Sequence, residues 1–202
     1  MSDHSLLKLK RLTHDHVMLP FDCGDADLNE FCLKDSYDYL RRLMAVTYYV
    51  ENETDTILFF SLSNDKISAV ESNPATWRRV KRLFPHEKHR KDYPAVKIGR
   101  LAVNSAYRNN NEHYGTMVLD FIKEWMVTQN KTGCCFITVD AYQAAVGFYQ
   151  KNGFEFLSQE EEHRYLHDSK LSDRQDTYAM YYNLTRIVSP VHIPTQSYAR
   201  RN

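Results

Sequence analysis

The sequence predicts a mixed α/β domain in three layers, with helices on both faces of one sheet. Two patterns carry this expectation. In the middle of the chain, apolar strand-like runs alternate with helix-periodic segments, and a hairpin precedes them. The length, 202 residues, fits one domain that buries roughly 70% of its unfolded surface.

Taken in order, Leu6–Leu12 alternates well enough for an opening strand. Pro20 to Gly24 breaks the chain, and Asp25 or Asp27 supplies a helix cap. Leu28, Phe31, Cys32, Tyr39, Leu40 and Leu43 then recur at three- and four-residue steps, opposite Asn29, Lys34, Asp38 and Arg41. This predicts an amphipathic helix of about 17 residues. Ala45–Val50 and Ile57–Ser61 read as two strands joined by the polar turn Asn52 to Asp55. Asn64 to Pro94 is the least regular stretch, with a short helix after Pro74.

Ala95–Val103 is apolar enough for a central strand. After the polar segment Asn104–His113 a strong helix follows, with Met117, Val118, Phe121, Ile122, Trp125 and Met126 on its apolar face. Cys134–Val139 is a further strand, and Tyr142–Lys151 a helix stopped by Asn152-Gly153. Phe154–Leu157 and Thr177–Leu184 read as closing strands around a polar loop. The segment 189–202, with two prolines and a basic end, reads as a tail, leaving 1–188 as the single domain.

Composition excludes several classes. Lys+Arg and Asp+Glu are both 26, which argues against a generally basic nucleic-acid coat and leaves room for local patches. The start Met1-Ser-Asp-His predicts no signal peptide, and no window approaches 18 uninterrupted apolar residues. A cytoplasmic protein that crosses no membrane is therefore expected. Cys23, Cys32, Cys134 and Cys135 form no Cys-x-x-Cys pair and read as free, buried thiols. His163 and His167 have a zinc-like spacing without accompanying thiols or carboxylates, so no metal is expected. Glycine is scarce at 6 residues, against roughly 14 from average usage. A phosphate loop must therefore draw on other residues.

Strand, polar loop and helix from Lys97 to Met126 form the most informative stretch. Such a junction offers unpaired backbone N–H groups at a helix start, which suit a pyrophosphate. Gly115-Thr116 stands where the helix begins. Asn109–Asn111 tolerate the left-handed region that glycine would otherwise occupy, and Arg108 supplies a cation.

Arg100-Leu-Ala-Val103, Tyr107-Arg108, the polar loop and Gly115-Thr-Met-Val-Leu119 together resemble motif A of the GNAT superfamily of acyl-CoA-dependent N-acetyltransferases. Val139-Asp140 and then Ala145-Val-Gly-Phe-Tyr149-Gln-Lys-Asn-Gly-Phe154 resemble that family's following motif. Phe21-Asp-Cys-Gly-Asp-Ala-Asp-Leu28 looks like the opening of a bacterial subgroup whose members include toxins that acetylate the amino acid on charged tRNA. One departure stands out: early glycines of the family loop are asparagines here, and Tyr107 to Gly115 runs about two residues long.

The resemblance implies a mostly antiparallel central sheet with a splayed parallel pair, and direct attack of a primary amine on the thioester of acetyl-CoA. It puts Leu101, Ala102 and Val103 along the pantetheine arm, with the Val103 N–H as oxyanion donor. Arg108, Asn109, Asn111, Gly115 and Thr116 would face the pyrophosphate. Tyr149, with an ordinary phenol near pKa 10, would protonate the leaving thiolate. Glu30, Asp35, Asp140 and His113 are available as bases, and the sequence places none of them beside an acceptor.

The run 77–91 carries seven Lys/Arg against Glu87 alone. It reads either as a rim for a phosphate-rich acceptor such as tRNA or as a solvated face offset by later acids. Three functions remain open at this point: acetylation of a small-molecule or protein amine, acetylation of aminoacyl-tRNA, and non-catalytic acyl-CoA binding. A homodimer is compatible with any of them.

Overall fold

A computed structural model describes residues 8–68, 74–82, 91–108, 112–129, 132–168 and 176–188. The expected tail at 189–202, Asn109, Asn111 and residues 83–90 of the basic run lie outside the described residues.

Seven strands form one sheet in the order β1-β2-β3-β4-β5-β7-β6. They are β1 Lys10–Arg11, β2 Val46–Glu51, β3 Thr56–Ser68, β4 Asp92–Val103, β5 Phe136–Tyr142, β6 Glu155–Phe156 and β7 Thr177–Asn183. Among these strands β4 and β5 pair parallel and the other neighbours pair antiparallel. The mostly antiparallel sheet with a parallel pair is thus present.

Strand lengths differ from the sequence expectation. Among the described residues the opening strand covers only Lys10–Arg11, while β3 runs seven residues past the expected end at Ser61. Its continuation, Ser61 to Ser68, is mostly polar, yet it pairs residue by residue with β4 as far as Ser68↔Asp92. Ladder hydrogen bonds hold it there although its mostly polar side chains give little hydrophobic signal.

One face carries α1 Ala26–Glu30, a π-helical segment Phe31–Asp35, α2 Ser36–Arg41 and α3 Pro74–Arg82. Asp25 caps α1, its carboxylate accepting from the Leu28 N–H at 3.1 Å. Phe31, Cys32 and Leu40 pack with Tyr49, Phe59 and Ala102 beneath this helical segment. Leu43 is a correction: it lies beyond the helix, 89% exposed, with φ +58°. Met44 N–H reaches back to Tyr39 O at 2.9 Å, a closure that puts the preceding residue in the left-handed region. Val80 and Trp77 of α3 pack with Ile67, Tyr93, Phe136 and Tyr181.

The opposite face carries α4 Tyr114–Thr128, α5 Gln143–Lys151 and α6 Gln159–Asp168. Val118, Leu119 and Ile122 of α4 and Val146 and Tyr149 of α5 bury against Phe60, Ile98, Ile137 and Val139. The segment read as a polar loop contains α6. Its Tyr165 packs on Phe156 and Tyr178, a single aromatic anchor on an otherwise charged helix. Gly153 ends the α5 region with φ +81°.

Candidate active site

Parallel pairing of β4 with β5 covers Ala95–Ile98 against Phe136–Val139 and then stops, while β3 stays paired with β4 as far as Val103. The register steps where Ser61 opposes Arg100 and Leu62 opposes Ile98, so Gly99 has no partner and forms a bulge. A Cβ on Gly99 would stand 3.2 Å from Ser61 Oγ. The bulge bends β4 away from β5 at the residue where their pairing ends, which opens a cleft between the two strands.

Backbone alternation decides which groups enter the cleft. Asn104 N–H donates to Ile57 O at 2.9 Å. In an antiparallel pair the hydrogen-bonded positions alternate, so Ala102 also bonds toward β3, and Leu101 and Val103 direct their N–H and C=O toward the open side. The methyl of Ala102 is buried against the α1 side. Ala102 therefore brings neither backbone nor side chain to the cleft, unlike the neighbours with which it was grouped.

At the mouth, Arg108 Nη2 donates to Cys23 O at 2.8 Å and to Val103 O at 3.3 Å. The guanidinium thus ties the segment before α1 to the end of β4. Ser105 N–H and Oγ both donate to Asp22 O at 2.8 Å, which reinforces that tie. The Asp22 carboxylate accepts from Gly24 N–H at 2.8 Å and Asn29 Nδ2 at 2.7 Å. These bonds to the charged form hold its carboxyl below the usual range, the Gly24 amide contributing most.

Helix α4 begins after His113, which has φ +48° and offers no side-chain cap. The Met117 N–H to His113 O bond, 3.1 Å, closes its first turn. The amides of Gly115 and Thr116 precede that bond and point out of the helix end. Gly115 lies against α5: a Cβ there would stand 3.1 Å from Phe148 Cζ.

Tyr149 is 6% exposed and packs edge-on to Phe148 and Phe154, with centroids at 5.3 and 5.2 Å. Burial raises its phenol well above the ordinary value, so the expectation of an unperturbed phenol is corrected. The group stays protonated throughout the neutral range.

The α1 side of the cleft joins Asp27, read in the sequence only as a helix cap, and the candidate base Asp140 with Lys97, Arg100 and Tyr142, to whose charges or hydroxyl the sequence reading gave no role. Asp27 Oδ2 lies 3.3 Å from the Tyr142 hydroxyl and 3.4 Å from Arg100 Nε. Lys97 pairs with Asp140, and the Arg100 guanidinium lies 5.4 Å from the Phe31 ring centroid. The available signal was two cations, Lys97 and Arg100, inside a largely apolar strand. Of the candidate bases, Glu30 pairs with Lys34 at 3.3 Å, Asp35 ends the π-helical segment, Asp140 pairs with Lys97, and His113 precedes α4.

None of the four cysteines forms a disulfide; Cys23 and Cys32 are buried as expected, whereas Cys134 and Cys135 are only partly buried, a correction to the expectation of four buried thiols. Burial raises Cys23 and Cys134 and pushes Cys32 up to about 12, so these three remain thiols. An open groove of about 1040 Å³, bounded by Leu40, Met44, Val96, Trp125 and Cys134, lies at the other end of β4, away from this cleft. No helix among the described residues is long and apolar enough to cross a membrane.

Residues 33–154 match the acetyltransferase (GNAT) family. The fold is similar to a tyrosine-to-phenylalanine mutant of KacT, with TM-score 0.64 and 17% identity over 89% of this chain and 95% of that one. It is similar to AtaT complexed with acetyl-methionyl-tRNAfMet, with TM-score 0.64 and 20% identity over 89% and 96% of the two chains. It is also similar to AtaTR bound with AcCoA, with TM-score 0.63 and 18% identity over 89% and 94%. No curated protein matches the chain.

Proposed function

The chain belongs to the acetyltransferase (GNAT) family, and from that premise we propose that it transfers an acetyl group from acetyl-CoA to a primary amine by direct attack on the thioester. One observation carries the reading: beyond the Gly99 bulge the Leu101 and Val103 backbone edge is no longer paired with β5, although β3 still holds the strand.

In this reading the pantetheine arm adds to β4 as an extra strand, bonding to Leu101 and Val103. The Val103 N–H polarises the thioester oxygen and stabilises the oxyanion that forms on attack. The Gly115 and Thr116 amides, at the positive end of α4, receive the pyrophosphate, with Arg108 as the nearby cation. Tyr149 delivers a proton to the departing CoA thiolate. The activity belongs to the cytoplasm, in the single domain spanning 1–188.

A more specific acceptor is supported by the exposed basic side of α3. Arg78 and Arg82 stand there with Arg79, whose Nη2 is bound to Phe156 O at 2.9 Å. Together with the likeness to AtaT bound to acetyl-methionyl-tRNAfMet, this favours the amine of an aminoacyl-tRNA. Calorimetric titration tests both layers. Acetyl-CoA should bind at one site per chain, and absence of binding overturns the proposal. Methionyl-tRNA should bind with an affinity that falls steeply as salt rises; no binding at low salt removes tRNA and leaves a smaller amine.

A further inference from the structure

The α1 side of the cleft carries a charge arrangement that acetyl-CoA binding leaves unused. Arg100 and Tyr142 both face this side. Ala102, two residues beyond Arg100, packs beneath α1–α2, and Val139 and Ala141 face the opposite core, which turns Asp140 and Tyr142 toward α1. Asp27, in the first turn of α1, reaches over the opening to both residues. One carboxylate thereby joins a helix and the two strands that the splay has separated.

A purely structural ion pair does not account for the arrangement. Arg100 Nε is buried and makes no hydrogen bond; Asp27 Oδ2 lies at 3.4 Å, close enough for Coulomb attraction but not aligned. Nη1 of the same guanidinium is committed to Gly99 O at 3.0 Å. The Asp27 side chain remains 58% exposed, and Oδ1 has no hydrogen-bond partner among the described residues. A first-turn aspartate also favours the helix dipole. That explains its place in the turn but not its reach to Tyr142.

We infer that Asp27 and Tyr142 form the subsite for the ammonium group of the acceptor, with Arg100 as the positioning residue that holds the carboxylate over the cleft. This rests on the acetyl-transfer reading. A primary ammonium offers three donors. Two are met by an Asp27 oxygen and by the phenolic oxygen of Tyr142, whose own proton goes to Asp27. The groups facing Asp27 are Arg100 from β4, Tyr142 from β5 and the capping Asp25 at its own end of α1, with the Lys97–Asp140 pair next along the cleft; Glu30, at the far end of α1, pairs with Lys34 instead. The ammonium passes one proton to Asp27, which releases it to water through its exposed oxygen. The freed nitrogen lone pair attacks the thioester carbon. When the C–S bond breaks, the second amine proton replaces the one that the sulfur receives, so one proton is released per turnover.

The test uses the full chain saturated with CoA, with methioninamide as probe and the same amide lacking its amine as reference. It is run below the α-amine range of about 7.7–8.0 so that the probe is charged. The intact chain should prefer methioninamide by about tenfold or more, as a charge-assisted hydrogen bond requires. D27N should abolish the preference, and Y142F should weaken it. R100Q should reduce it with rescue by R100K, while E30Q leaves it intact. In turnover, D27N should move the rise in rate to higher pH with the KM for acetyl-CoA unchanged. Unchanged preference in D27N, or no preference in an intact chain that binds CoA, overturns the subsite. Failure to bind CoA at all overturns the acetyl-transfer reading, and the subsite falls with it.

Discussion

Ile98 and Val139 are the last residues through which β4 and β5 remain paired. The unpartnered Gly99 follows immediately on one strand, and Asp140 on the other. Everything assigned to the acetyl donor lies on one side of that point, along Leu101, Val103 and the start of α4. The charged residues Asp27, Arg100 and Asp140 gather on the α1 side. A one-residue bulge therefore converts a closed parallel ladder into a two-sided cleft, to whose sides the proposal assigns donor and acceptor.

Val103 directs its N–H into the cleft rather than into the β3 ladder. Proline at this position removes the cleft-facing donor without breaking a β3–β4 hydrogen bond. V103P should lower kcat by about 10²–10³, the effect of losing one oxyanion donor, while acetyl-CoA still binds in a calorimetric titration. An unchanged kcat would remove the Val103 amide from the mechanism.

Tyr149 is buried, with its phenol raised by desolvation. Y149F should cut turnover by about 10², at the low end for a general acid, with no loss of acetyl-CoA affinity. The raised phenol also predicts that kcat of the intact enzyme shows no alkaline limb from this group below about pH 10. Equal turnover in Y149F would leave the residue as packing beside Phe148.

Asp22 links stability to pH through the loop that Ser105 and Arg108 bind. Its carboxyl is lowered in the fold, so its contribution is complete above the unfolded value of about 3.9 and is lost as pH falls through the lower folded value. The melting temperature of D22N should lie below that of the parent at neutral pH, and the gap should close below about pH 4. A gap that stays constant into strong acid would contradict this role of the Asp22 carboxylate.

Leu43 occupies a left-handed position with its side chain in solvent. The left-handed backbone costs about 1–2 kcal/mol for a residue with a Cβ, partly offset by the extra freedom of glycine in the unfolded chain, about 0.5–1 kcal/mol. L43G should therefore stabilise the protein by about 0.5–1 kcal/mol and raise Tm by about 1–4 °C. A lower Tm would mean that Leu43 has a partner in solution.

The parts legible in the sequence were those written in side-chain periodicity or in a motif with fixed spacing. Met117 to Met126 marks α4 because its apolar residues repeat every three or four positions, although the buried face is turned from the expected one: Met117 and Phe121 are exposed, while Leu119 and Lys123 are buried. Ala145 to Phe154 locates Tyr149 within α5 and its stop. The parts that were hidden depend on backbone direction and on partners distant in sequence. Asn64–Ser68 is polar and reads as irregular, but β4 supplies its ladder. Ala102 sits among cleft residues in the chain, yet strand alternation turns its amide to β3. Arg100 and Tyr142 are far apart in sequence and belong together only through Asp27. Leu43 continues the helical period by one more turn, and only the closure by Met44 shows that the helix has ended.

Movement of acetyl from acetyl-CoA to an amine is followed most directly by measuring free thiol and acceptor mass together. The reaction contains acetyl-CoA and a panel of methionyl-tRNA, methioninamide and spermidine. CoA should be released in equal amount to one acetylated amine, with both signals reduced together in Y149F. Thiol release no greater than without enzyme, across the whole panel and with acetyl-CoA bound, would show that the chain is not an acetyltransferase for these amines and overturn the proposed function.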